Sequence, residues 1–113
     1  MTDNTKISVT LTPELRLEQA LKEAGVKDPT TVTKLSIAGT PTIDDFEYIR
    51  KNMCENLQVL DMSNASITKI ESFNFYGCKG LTSVILPDTI VGSVTYNFEN
   101  CTKLSKLIIF LRL

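Results

Sequence analysis

The sequence predicts an α/β repeat solenoid: a short parallel sheet, an N-terminal capping helix and irregular convex segments. Three observations predict it. Cys54, Cys78 and Cys101 recur at a near-constant interval, each opens the same apolar pattern, and the first thirty residues carry helix signals instead. A length of 113 residues suits a single domain spanning 1–113. Residues 1–31 read as an N-terminal cap, and residues 32–113 as three to four repeat coils.

The cap begins with a short strand. Ile7, Val9 and Leu11 are apolar while Ser8 and Thr10 between them are polar, the alternation of a strand with one buried face. Thr12-Pro13-Glu14 then predicts a helix start, with a hydroxyl cap, proline at the first position and an acid in the first turn. Leu17, Ala20, Leu21 and Ala24 fall on one stripe, and Gly25 supplies the stop. A second helix is expected from Asp44 or Asp45 to about Met53, with Phe46, Ile49 and Met53 on one face. Asp44-Asp45 is read as capping and dipole compensation in preference to a metal site. An amphipathic helix at this end covers the open core of the first coil.

The repeat itself is read from the cysteines. Cys54-x-x-Leu57-x-x-Leu60-x-Met62 aligns with Cys78-x-x-Leu81-x-x-Val84-x-Leu86 and with Cys101-x-x-Leu104-x-x-Leu107-x-Ile109. Phe73-Asn74-Phe75 lies over Tyr96-Asn97-Phe98, and Val32-x-x-Leu35-x-Ile37 is a weaker earlier copy. Self-similarity at this period with an L-x-x-L-x-L core is the signature of a leucine-rich repeat. The last two apolar residues of each copy alternate, so they point inward from a strand that cannot bury its face alone. Stacking predicts one inward row of Leu60, Val84 and Leu107, and another of Met62, Leu86 and Ile109.

Chemistry has little to stand on. With no histidine, the usual general base and most zinc constellations are missing, so no enzyme, metal or cofactor is expected. One cysteine per coil is not a metal-ligand spacing. The cysteines are expected as small buried apolar residues. Stacked strands stand about 4.8 Å apart, but parallel Cβ vectors argue against easy bridging. A net charge of -1 gives no case for nucleic acid as partner. No apolar run approaches a membrane span, and no signal peptide opens the chain. Asn64-Ala65-Ser66 is a formal N-glycosylation acceptor.

Binding is therefore the expected function. Between the inward residues, Lys34, Val59, Ser83 and Lys106 form one outward column, and Ser36, Asp61, Ile85 and Ile108 another. This sheet face is the candidate surface for a protein partner. Leu104 to Leu113 holds seven apolar residues in ten, so Phe110, Leu111 and Leu113 mark a candidate self-association edge. Truncation from a longer array and a homo-oligomeric interface both account for that edge.

The unit Phe-x-x-Cys-x-x-Leu-x-x-[Val/Leu]-x-Leu, followed in one copy by Pro87, resembles the BspA-type leucine-rich repeats of bacterial surface proteins. Residues 13–110 share the resemblance. Asn74 and Asn97 replace the family's alanine, and Thr40, Ala65 and Thr89 stand where ordinary leucine-rich repeats carry an asparagine ladder. The resemblance implies a non-enzymatic module for protein interaction or adhesion, on the cell surface or secreted, engaging a host or bacterial protein. A structural cap or oligomerisation element of a longer repeat protein is the alternative, and a cytoplasmic location stays open.

Overall fold

Strand formation follows the apolar alternation. In the computed structural model, which describes residues 6–67, 75, 78–87, 89, 101, 103, 104 and 106–109, five strands make one sheet. They are β1 (Lys6–Leu11), β2 (Lys34–Gly39), β3 (Val59–Ala65), β4 (Ser83–Leu86) and β5 (Lys106–Ile109). Their order in the sheet is their order in the chain, and every pairing is parallel. Parallel neighbours need a crossover between them. Helix α1 (Leu17–Glu23) and a 3₁₀ turn (Pro29–Thr31) lie between β1 and β2, and α2 (Ile43–Asn52) lies between β2 and β3.

The register is that of the repeat. Ile7, Leu35, Leu60, Val84 and Leu107 stand opposite one another across all five strands. Leu35, Leu60 and Val84 are fully buried, each contributing roughly 1.5–3 kcal/mol by leaving water. The second inward row is continuous only in part. Leu86 pairs with Ile109, but the β3–β4 ladder runs from Val59↔Ser83 to Asp61↔Ile85 and stops before Met62. Met62 and Leu86 are nonetheless both buried.

A bulge explains the interruption. Ser36 pairs with Asp61, but Ala38 pairs with Asn64, so β3 carries one extra residue there. The Asp61 carboxylate accepts from Ser63 N at 3.0 Å and Ser63 Oγ at 2.7 Å, which satisfies the displaced backbone. The extra residue also shifts the inward phase, from Leu60 and Met62 to Ala65 and Ile67.

Backbone groups outside the strands are also paired from repeat to repeat. Gln58 N and Val59 N both donate to Thr33 O, and Thr82 N and Ser83 N both donate to Gln58 O. At two of the three positions lacking the ladder asparagine, Thr40 and Thr89, a hydroxyl stands instead. Thr40 Oγ1 donates to Leu11 O, and Thr89 Oγ1 to Ile67 O, each reaching back one repeat.

Helix α1 departs from the sequence reading. It starts at Leu17, not at Thr12-Pro13-Glu14. Thr12 instead closes a tight turn, exchanging backbone bonds with Leu15 while its hydroxyl accepts from Leu15 N. Leu17, Ala20 and Leu21 are buried as the stripe predicts, but Ala24 is the exposed C-cap. Gly25 is the left-handed stop at φ 92°. Its N–H bonds Lys22 O while Val26 N bonds Leu21 O, a Schellman closure. Helix α2 begins at Ile43, one or two residues before the expected Asp44 or Asp45, and buries Phe46 and Ile49, with Met53 buried just beyond it.

The cysteines also depart from expectation. Cys54 and Cys78 are joined by a disulfide, with Cα atoms 4.6 Å apart. Neither lies on a strand: both occupy the turns leading into β3 and β4. The parallel Cβ vectors assumed for bridging between strands therefore do not apply. Both remain buried, as expected of small apolar residues, and Cys101 is half-buried with its thiol donating to Phe75 O. Phe75 fills the space beneath the sheet and meets Phe46 edge to face, with centroids 5.4 Å apart. The other aromatic residues of the aligned repeats, Phe73, Tyr96 and Phe98, lie outside the described residues.

Candidate protein-binding face of the sheet

The outward columns are built by the same register. Lys6, Lys34, Val59, Ser83 and Lys106 stand in one, and Ser8, Ser36, Asp61, Ile85 and Ile108 in the next. The eight residues singled out in the sequence are therefore brought together in the two columns expected of them. Lys34 is exposed, while Ser36, Val59, Asp61, Ser83 and Ile85 are half-buried. Phe110, Leu111 and Leu113 lie outside the described residues.

Part of this face was missed in the sequence. β1 adds Lys6, Ser8 and Thr10, all exposed, and a third column runs through Thr10, Ala38 and Asn64. Ser8, Thr10, Ser36, Ala38, Asp61 and Asn64 contribute to a shallow groove of about 280 Å³ over β1, β2 and β3. Small side chains on β1 and β2 create its floor, and the bulge brings Asn64 to its rim. The alternation Ile7, Val9, Leu11 was the signal for these positions. It identified a strand, but no copy of the leucine motif placed that strand in the repeat sheet.

The remaining polar clusters are structural. Asp45, only 2% exposed, accepts from Thr42 N at 2.8 Å, Leu17 N at 3.0 Å and Arg16 Nη1 at 2.8 Å. Arg16 continues through Nη1 to Thr42 Oγ1 and through Nη2 to the carbonyls of Thr12 and Thr40. One carboxylate thus caps both helices, the role expected for Asp44-Asp45 at the start of the second. Hydrogen bonds from the Thr30 hydroxyl and N–H hold the Asp28 carboxyl below its ordinary value. Burial raises the Tyr48 phenol, and the Glu18 carboxylate adds to the rise. Among the described residues, no group of three or more cysteine or carboxylate side chains gathers to hold a metal, and no helix is long and apolar enough to cross a membrane.

A parallel sheet built one strand per repeat, with paired inward and outward columns, defines a repeat protein of the leucine-rich class. A family model described as the BspA type leucine rich repeat region (6 copies) matches residues 42–111. That is more than half of the chain, which belongs to this family. No curated protein matches it. β1, α1 and β2 lie ahead of the matched segment, yet β2 joins β3 with Leu35 opposite Leu60. Leucine-rich repeats of this kind serve protein interaction and are generally non-enzymatic.

Proposed function

We propose that this chain is a non-enzymatic module that binds a host or bacterial protein through the outward face of its sheet. The observation that carries the reading is the division of the strands. The inward positions of β1 to β4 are buried, while the outward register positions of the five strands line up in columns of lysine, hydroxyl, acidic and aliphatic residues. The same stacking supports a solenoid of three to four coils over residues 32–113, with 1–31 as its cap, in a single domain. Family membership supports a bacterial cell-surface setting and an adhesive role.

Capture experiments with face variants test this. Immobilised protein is exposed to surface and host-matrix protein extracts, beside Ser36→Trp and the double variant Ile85→Asp/Ile108→Asp. Partners bound by the native chain should be lost from both variants and retained by Lys22→Glu on α1. Retention by the face variants overturns the reading. Loss of self-association in the isoleucine variant, with capture unchanged, supports the structural and oligomerising role instead.

A further inference from the structure

Charge is unevenly placed on this molecule. The chain carries a net charge of -1, yet the outward register positions of the sheet hold Lys6, Lys34 and Lys106 against the single acid Asp61. The other described acids lie on helices, turns and loops. Asp61 is also occupied, its carboxylate accepting from the N–H and hydroxyl of Ser63. Lys6 and Lys34 are register partners on adjacent strands, both exposed. Such neighbours stand about 4.8 Å apart, and like charges directly opposite are unfavourable. Among the described residues, neither lysine has an ion pair. Edge protection accounts for a lysine on β1 but not for its twin on the inner strand β2.

We infer that the partner presents an acidic protein segment to this lysine end of the sheet, with its polar groups over the adjoining groove of Ser8, Ser36 and Asn64. The inference rests on the proposed binding face and names the chemistry that face takes. Carboxylates of the segment relieve the repulsion between Lys6 and Lys34, and the groove supplies hydroxyl and amide hydrogen bonds beside them. A nucleic acid is a poorer match, because so few cations on a net-acidic chain neutralise few phosphates.

The test uses a labelled oligoglutamate peptide with the full chain, beside Lys6→Glu/Lys34→Glu and Lys22→Glu/Lys51→Glu, all checked for native circular dichroism. The peptide should bind the native chain saturably and weaken with rising salt. The sheet variant should lose about tenfold or more in affinity, and the helix variant should lose little. Amide shifts on titration should centre on Lys34 and Ser36. Equal loss in both variants, shifts centred on α1 or α2, or tighter binding of single-stranded RNA or phosphatidylserine vesicles would each overturn the inference. If the peptide fails while capture still depends on Ser36 and Ile85, the charge inference falls and the binding face stands. If capture also ignores the face, both fall.

Discussion

Asp45 shows how much one side chain can do at this scale. Its two oxygens take the N-terminal N–H of α1, the cap N–H of α2 and the guanidinium of Arg16. Asp45→Ala leaves those donors without their acceptor in a site only 2% exposed. Breaking a buried pair costs about 3–5 kcal/mol, and the partial exposure of Arg16 reduces this to about 2–3 kcal/mol. Urea denaturation should show a lower midpoint with an unchanged slope. Tyr48 gives a pH-dependent counterpart. Its phenol is raised by burial first and by Glu18 second, so the folded state holds it protonated beyond its ordinary value of 10.0. A raised folded value means that its stabilisation is complete below that pH and is lost as pH climbs through the higher one. Glu18→Gln should therefore move the phenolate absorbance transition, isolated by subtracting Tyr48→Phe, to lower pH. The sequence showed Asp44-Asp45 as a capping pair. It could not show that Leu17 and Arg16, nearly thirty residues earlier, share the same carboxylate.

Among the elements, errors arose where a local signal competed with a distant one. Thr12-Pro13 has the residues of a helix start, but Thr12 closes a turn with Leu15, and α1 receives its cap from α2. The cysteines were legible as a repeat ruler and as buried residues. Their bonding was not, because it depends on turn geometry that strand spacing does not describe. The Cys54–Cys78 bridge closes a sequence separation of 24, and such a loop constrains the unfolded chain by about 3 kcal/mol. Non-reducing peptide mapping should recover the linked pair, and dithiothreitol should lower the melting midpoint of the native chain but not of Cys54→Ser/Cys78→Ser. Gly39 ends β2 at φ +85°, where a Cβ would lie 2.1 Å from Leu11 O. Gly39→Ala should cost at least about 2 kcal/mol, from strain and from forcing β1 away from β2. A glycine needed only for its positive φ, with open space around it, would give a loss of about 1 kcal/mol.

For the molecule as a whole, the repeat motif predicted the order and register of β2 through β5, because an inward leucine one residue out of phase would face solvent. The motif did not extend to β1, whose inclusion depends on pairing that only three dimensions display. The bulge in β3 was equally hidden, since Asp61-Met62-Ser63 has no composition that distinguishes it from a regular strand. Stacked repeats touch mainly their neighbours, so a long array loses cooperativity when one interface weakens. Here a second connection lies beneath the sheet. Phe46 on α2 packs against Phe75, and Cys54 is bonded to Cys78 across the same junction. These links tie the helical end to the repeats that follow and should make residues 6–86 unfold as one unit. Native-state hydrogen exchange should then give the central amides of β2, β3 and β4 a common opening free energy. Phe75→Ala removes a fully buried ring, at a cost of about 3–5 kcal/mol. With the disulfide also reduced, β4 should open at lower free energy than β2, because the aromatic and covalent links are then both lost. If β4 already exchanges independently in the native chain, the aromatic and disulfide links are local packing and the cooperative unit ends at β3.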